Sequence, residues 1–359
     1  IRDRTYMAGN QALGRNLDAN AMRNHFYRFP GVDNDKDKTL SAMLRMAVIA
    51  QTQERYEKAP TETDEQRAEK AALEGLVKQL FVELKRDFKP SDLPPYTLVK
   101  LGVHLANTSQ PEESIAYFDE ILDPSEPDPV RKKARINGMS KYRKNAVFGK
   151  AVALGRSKDN AKVETAIKMM KDELSKEESS ANPDRKAMED AQYNLVKFTS
   201  ARQDWPSVIA AADKYRENKS YKKNLPEVLY LQGEAYLKQN ELDKALINFM
   251  NITGTYKGLV KWSAPAVLAQ MDTLWKRNTM SQGAGKQPSD RYIAWKAGSQ
   301  YVQLLDTPAN RKKMTAEDSA LVNEVKDKTA KFGSDPAVSQ ERADIAAYEA
   351  AIRAAKGQK

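Results

Sequence analysis

The sequence of 359 residues lacks cysteine. Disulfide bonds, thiolate catalysis and cysteine-ligated metal sites are therefore excluded. Only two histidines, His25 and His104, are present, and no HExxH motif occurs. Acidic pairs such as Asp119–Glu120 are typical of solvated helix faces, and no pattern around them indicates a catalytic pocket. We therefore expect a protein that is not an enzyme and that binds no metal and no cofactor.

Long apolar runs are also missing. No segment approaches the roughly 18 apolar residues that a membrane span requires, so we expect none. No signal peptide is visible, but the chain begins with Ile1 rather than Met. A processed N-terminus would fit an exported protein of the periplasm or outer membrane, with a cytoplasmic location as the alternative.

Glycine is scarce, at 16 residues, and apolar residues recur with helical spacing. One stripe of this kind comprises Leu73, Leu76, Val77, Leu80, Leu84 and Phe88. Thr63 with Gln66, and Thr315 with Asp318, have the spacing of helix-capping boxes. No sustained alternation of polar and apolar residues indicates a strand. The expected fold class is all-α.

Two stretches carry the same pattern of two helices joined by a polar turn. In LQGEAYLKQNELDKALINF, from Leu231 to Phe249, the pattern consists of Gly233, Tyr236, Ala245 and Phe249. In LVKLGVHLANTSQPEESIAYFDEIL it consists of Leu98, Leu101, Gly102, Ser114 and Phe118. Weaker copies surround Gly149, the segment AQYNLVKFTSARQDWPSVIAAADKY, and the N-terminal pair Gly9 and Ala21.

This pattern resembles the tetratricopeptide repeat, whose degenerate forms occur in bacterial cell-envelope proteins. The resemblance implies a right-handed solenoid of helical hairpins. We predict a solenoid over residues 1–280, a linker over 281–288 and a helical C-terminal cap over 289–359. The resemblance also implies a non-catalytic scaffold or adaptor of the cell envelope that binds other proteins or peptides.

In that family the first helix of each hairpin lines a concave groove. Carried onto this sequence, the groove positions are Tyr96, Val99, Val103 and Asn107 in one repeat, and Glu227, Tyr230, Glu234 and Lys238 in the other. The Lys/Asn/Arg clamp with which some members hold a peptide carboxylate is absent from these positions. The resemblance therefore predicts a groove without that specificity.

A basic run offers a second hypothesis. Between Arg131 and Lys158 there are ten basic residues and no acidic one, in a chain of net charge +10. A docking patch would comprise Arg131, Lys132, Lys133, Arg135, Lys141, Arg143 and Lys144. Its partner would be an anionic surface: an acidic protein, lipid headgroups, a cell-wall polymer or nucleic acid. Sparse aromatic residues disfavour nucleic acid, and a helix face neutralised within the molecule is the simpler alternative.

Two further features have ordinary explanations. The loop Gly283-Ala284-Gly285-Lys286 lacks the leading glycine, the Ser or Thr after the lysine and the preceding strand of a phosphate-binding loop. It is expected to be a linker. Three of the four tryptophans, Trp262, Trp275 and Trp295, cluster near the end of the repeats. Core packing explains them, with an exposed anchor for a partner as the alternative.

Overall fold

The computed structural model describes residues 38–61, 63–108, 110–283, 285–311 and 314–357, and these residues form helices and short connections without a strand. The all-α prediction is confirmed for this part of the chain. The weak N-terminal repeat with Gly9 and Ala21, and His25, lie outside the described residues. None of the described helices has the length and apolar composition needed to cross a bilayer.

The helices are α1 (Lys38–Lys58), α2 (Asp64–Asp87), α3 (Pro95–Asn107), α4 (Pro111–Leu122), α5 (Pro129–Met139), α6 (Arg143–Gly155), α7 (Asn160–Glu178), α8 (Arg185–Ala201), α9 (Trp205–Glu217), α10 (Leu225–Lys238), α11 (Leu242–Thr255), α12 (Val260–Arg277), α13 (Asp290–Leu305), α14 (Pro308–Arg311), α15 (Ala316–Gly333) and α16 (Pro336–Gly357). Single 3-10 turns precede α3 and α6, at Pro90–Asp92 and Ser140–Tyr142.

Both predicted capping boxes are present. The Thr63 hydroxyl accepts a hydrogen bond from the Gln66 amide N–H at 3.2 Å, and the Gln66 side-chain oxygen accepts one from the Thr63 amide at 3.1 Å. Thr315 and Asp318 repeat this exchange at 3.0 and 3.2 Å. Each box satisfies two backbone donors that a helix start otherwise leaves unpaired, which fixes where α2 and α15 begin.

The contacts divide the chain into two compact units, residues 1–170 and residues 171–359. In the first unit, α3 packs on α4, and α4 packs on α6. The fully buried Phe118 of α4 lies against two glycines. A Cβ atom at Gly102 would be 2.8 Å from its ring, and one at Gly149 would be 2.2 Å from it. Both helices can approach Phe118 because these positions have no side chain.

In the second unit, each helix from α8 to α13 packs on the next one along the chain. Helices α8, α10 and α12, which begin successive hairpins, also contact one another in sequence. Phe249 of α11 is fully buried against Gly233 of α10, where a Cβ atom would be 2.6 Å from the ring. This is the packing of consecutive helical hairpins that the repeat pattern predicts.

The predicted linker, residues 281–288, lies in the non-helical segment between α12 and α13. One buried carboxylate fixes both ends of this segment. Asp290 accepts two hydrogen bonds from Arg277, at 2.8 and 2.6 Å, and one from the Thr279 amide at 2.8 Å. Burial of Asp290 opposes ionisation, but these donors outweigh it and lower its pKa. The predicted division into residues 1–280, 281–288 and 289–359 stays a prediction.

Candidate functional site

One side of α10 presents the four groove positions predicted for the second repeat. Glu227, Tyr230, Glu234 and Lys238, here called the α10 face, recur at intervals of three and four residues and so lie along one line of the helix. The first three are half-buried and Lys238 is exposed. The Tyr230 ring lies 5.8 Å from that of Phe249 and 6.5 Å from that of Trp262 on α12, centroid to centroid.

The N-terminal end of the α10 face is connected to α8. The Tyr193 hydroxyl donates a hydrogen bond to Glu227 at 2.5 Å, and the Lys197 ammonium lies 3.6 Å from the same carboxylate. The Lys197 nitrogen also lies 5.3 Å from the centre of the Tyr193 ring. Glu227 therefore has a positive partner within the molecule, and these contacts hold α8 and α10 in register.

Glu234 has a different environment. Burial raises the pKa of this carboxyl, and this effect outweighs the opposing hydrogen bond from Tyr230 and the charge of Lys238. Among the described residues, no Lys or Arg nitrogen lies within ion-pair distance of Glu234. A half-buried carboxylate without a close cation is an unfavourable arrangement for an isolated protein.

A second carboxylate acts on the same tyrosine. Burial raises the pKa of Tyr230 to about 12, and the charges of Glu234 and of Glu324 on α15 add to this effect. Glu324 is exposed and also has no ion-pair partner among the described residues. Tyr230, Glu234, Trp262 and Glu324, here called the anionic aromatic site, thus combine two aromatic rings with two carboxylates that form no ion pair among the described residues.

The groove positions of the first repeat differ in chemistry. Tyr96 and Val103 of α3 are 45% and 39% exposed. Asn107 is exposed too, whereas Val99 is half-buried and packs against the core. The Lys100 nitrogen lies 5.6 Å from the centre of the Tyr96 ring. The α3 positions are accessible and mostly apolar, without a carboxylate, and their role as a groove stays a prediction.

The basic run is partly neutralised within its own unit. Carboxylates at the C-terminal end of α4 and directly after it pair with cations of the run: Lys150 with Asp119 at 2.6 Å, Arg135 with Glu120 at 3.0 Å and Lys132 with Asp123 at 2.6 Å. Arg143 donates to the Leu122 carbonyl oxygen at 3.3 Å. The acidic neighbours that are missing from the local sequence are thus supplied by the preceding hairpin.

Other members of the predicted patch point to solvent. Arg131, Lys133 and Lys141 are exposed, and the Lys141 nitrogen lies 4.9 Å from the centre of the Tyr142 ring. No described carboxylate forms an ion pair with these three side chains. The docking hypothesis stays a prediction, and it now concerns these three residues more than the paired ones.

His104 and two of the clustered tryptophans have packing roles. The His104 ring stacks on Phe81 with centroids 3.9 Å apart, and burial lowers its pKa. Trp275 stacks on Phe332 at 3.9 Å, and the Arg342 guanidinium lies 4.1 Å from the centre of the Trp295 ring. Trp262 is the tryptophan that adjoins a predicted groove residue, so packing and partner binding can both involve it.

Two clefts flank α16. One, of about 450 Å³, is lined by the 278–291 segment and α16, and includes Lys286 and Asp344. The other, of about 490 Å³, is lined by Tyr292, Trp295 and α16. Gly285 has φ of +79° and lies against the Tyr348 ring. The loop that resembles a phosphate-binding loop follows a helix, α12, so its surroundings differ from those of that motif.

Sequence reasoning missed Tyr193, Lys197 and Glu324. The weak repeat AQYNLVKFTSARQDWPSVIAAADKY contains the first two four residues apart, which is groove spacing, but its degenerate pattern gave no alignment. Glu324 lies in the segment predicted as a cap, where no repeat pattern assigns an inward face. Comparison with protein-family models and with curated proteins gave no match.

Proposed function

We propose that this protein is a non-catalytic interaction scaffold, built as a right-handed tetratricopeptide-like solenoid with α13–α16 as its helical C-terminal cap. Its partner is a protein or peptide segment that binds along the first helices of successive hairpins. The α10 face is the principal binding surface in the second unit. The α3 positions Tyr96, Val99, Val103 and Asn107 provide a further, apolar surface in the first.

The observation that carries the proposal is the anionic aromatic site on adjoining hairpins. Core residues of such hairpins need only small and large apolar side chains at their crossings. Glu234 and Glu324 serve no such purpose, and neither forms an ion pair with a Lys or Arg among the described residues. A half-buried carboxylate such as Glu234 lowers stability when no cation lies close to it, so a role in binding gives a reason for its presence.

The basic patch supplies the alternative proposal, a docking module for an anionic surface. Exposed Arg131, Lys133 and Lys141 favour it. The ion pairs between α4 and the run weaken it, because paired cations attract an external anion less strongly. The two proposals differ in salt dependence, since a contact driven by several exposed charges weakens steeply as ionic strength rises.

The experiment starts from a partner recovered by co-purification with the tagged full chain from native cells. Lys238→Glu with Glu234→Arg alters the α10 face, and Arg131→Gln with Lys133→Gln and Lys141→Gln alters the patch. We expect the first variant to lose the partner and the second to keep it. Loss from the patch variant alone would support the docking module. Retention by both would contradict both proposals.

A matched control is available on the opposite side of the same hairpin. Ile247 and Met250 of α11 are 59% and 55% exposed. Ile247→Ser with Met250→Ser should retain the partner, because these exposed side chains belong to the second helix of the hairpin and not to the α10 face. The proposed location in the bacterial cell envelope has its own test. Fractionation of native cells should place the protein in the periplasm or with membranes, and recovery in the cytoplasm would contradict it.

A further inference from the structure

We propose that the anionic aromatic site binds a basic side chain, lysine or arginine, of the partner segment. This inference rests on the proposed function and specifies the chemistry of the partner. The cation would lie against the Tyr230 and Trp262 rings, with Glu234 as its principal counter-charge and Glu324 as the second.

The aromatic rings favour such an occupant. The faces of Tyr and Trp rings attract cations, with a strength that grows as water is excluded. Cations of the same unit already adopt this arrangement beside the site. The Lys197 nitrogen lies 5.3 Å from the centre of the Tyr193 ring, and the Lys261 nitrogen lies 5.6 Å from that of Trp262. A partner's cation at Tyr230 would make a further contact of the same kind.

Charge selects the cation over an apolar or acidic group. Some carboxylates of the second unit have close positive partners: Glu227 pairs with Lys197, Asp272 with Lys328, and Asp306 with Arg311. Glu234 and Glu324 do not have one among the described residues. An acidic side chain would meet two like charges here. An apolar side chain would remove water from both carboxylates without compensation.

The partial burial of Glu234 makes the contact worth more than a surface ion pair. An exposed pair contributes little, because water and salt screen it. Glu234 has already lost part of its hydration, as the direction of its pKa shift indicates. Part of the desolvation penalty is therefore already present before the partner arrives, and a cation that binds would stabilise the ionised form.

The probe is a phage-displayed library of random 12-residue peptides, selected on the immobilised full chain. We expect the wild-type selection to enrich Lys or Arg at one peptide position. Glu234→Lys should shift the preference at that position to Asp or Glu. Glu217→Lys, which makes the same charge change at an exposed residue at the end of α9, should leave the preference unchanged.

A synthetic peptide from the wild-type pool then tests the contact by titration calorimetry. Glu234→Gln should weaken binding by about tenfold or more, as expected for a hydrogen bond to a charged group. A peptide with citrulline in place of Arg, or norleucine in place of Lys, should bind the wild-type protein more weakly by a similar factor. If the two groups touch, the variant and the neutral peptide together should lose affinity by a smaller factor than the product of the two separate factors.

Different outcomes separate the inference from the function on which it rests. Enriched peptides that lose binding to Lys238→Glu with Glu234→Arg but show no preference for Lys or Arg would overturn the inference and leave the scaffold proposal standing. The inference would also be overturned if the losses of binding free energy for Glu234→Gln and for the neutral peptide were additive. Failure to enrich any peptide would count against the inference and against peptide binding by the α10 face.

Discussion

The hairpins α3–α4 and α10–α11 share a buried contact between a glycine and a phenylalanine and differ in the chemistry of their exteriors. Phe118 follows Gly102 by 16 positions, and Phe249 follows Gly233 by the same number. In both hairpins the phenylalanine is fully buried against the glycine. The predicted groove positions of α3 are apolar or uncharged, whereas those of α10 include Glu227, Glu234 and Lys238. The framework is thus set by a few buried contacts, and binding specificity by positions that the framework leaves open.

The interiors also differ in how they meet the next helix. Phe118 contacts a second glycine, Gly149 of α6. Phe249 instead shares its cluster with Ala266 of α12, and its ring lies near that of Tyr230. The first hairpin therefore permits a closer approach at one point. The second uses an aromatic residue that is both part of the core and part of the α10 face.

Truncation of the two phenylalanines should have the largest effect. Phe118→Ala and Phe249→Ala should each lower the free energy of unfolding by roughly 3–5 kcal/mol, through lost burial and the cavity that remains. Phe118→Ala should be the more damaging, because its ring fills the space beside two glycines, Gly102 and Gly149, which have no side chains to move into the cavity. Urea denaturation followed by circular dichroism measures both. Equal midpoints for either variant and the wild type would show that the shared interior is not what stabilises the hairpins.

Larger side chains at the glycines should have the next largest effect. Gly233→Leu and Gly102→Leu should overpack the crossings and cost roughly 1–3 kcal/mol. Gly75 provides the control, since it lies in α2 and a Cβ atom at this position would have no neighbour within 4 Å. Gly75→Ala should stabilise the protein by about 0.5–1 kcal/mol, because alanine is the better helix former. A loss of stability at Gly75 would indicate that backbone effects, not packing, explain the other two variants.

The sequence was sufficient for the hairpins because their determinants are local. Gly102, Gly233 and the capping threonines act within a few turns of helix, so their spacing carries the information. The repeat pattern includes a small residue on each second helix, Ala245 and Ser114. Both are fully buried, but the atoms nearest to each glycine belong to Phe249 and Phe118. The large side chain, rather than the small one, fills the space that glycine leaves.

The charges were harder to predict, because their partners lie in other helices. The run after Arg131 has no acid in its own sequence, but Asp119 and Glu120 of α4 and Asp123, which follows that helix, supply the carboxylates. For Glu234 in the second unit the sequence misleads in the opposite direction, because it suggests a local partner that the structure does not pair with it. Glu234 has Lys238 four residues away, a spacing that commonly gives an ion pair, yet no such pair forms. Burial and tertiary neighbours decide both cases.

The basic run provides a smaller test. Arg135 lies 3.0 Å from Glu120, which is 5% exposed, so Arg135→Gln would leave a buried carboxylate without its cation. We expect a loss of about 1–2 kcal/mol in thermal or urea unfolding. Lys133→Gln, a few residues away and exposed, should change stability by less than about 0.5 kcal/mol. Equal losses of stability for the two variants would mean that an ion pair with α4 does not separate cations with a structural role from cations available for docking.

The smallest expected effect compares two carboxyls whose pKa values shift in opposite directions. In the first unit, the hydrogen bond from Arg86, reinforced by Arg45 against the effect of burial, lowers the pKa of Asp87 to about 2. Its stabilisation is present above the unfolded-state value of 3.8 and is lost as pH falls through about 2. Asp87→Asn should therefore be less stable than the wild type at neutral pH, and the difference should shrink in acid.

Glu234 should behave in the opposite sense. Because burial raises its pKa above the reference value of 4.5, the folded state resists ionisation more than the unfolded chain does. The wild type is therefore penalised as pH rises from 4.5 through the folded-state pKa, and Glu234→Gln removes this penalty. Relative to the wild type, the variant should gain at most about 2 °C in Tm between about pH 4 and pH 7. The contradicting result is a Tm difference between Glu234→Gln and the wild type that stays constant or falls as pH rises. That result would mean that Glu234 is stabilised in its ionised form within the isolated protein. The carboxylate would then already be compensated, and the reason for assigning it a cationic partner would be lost.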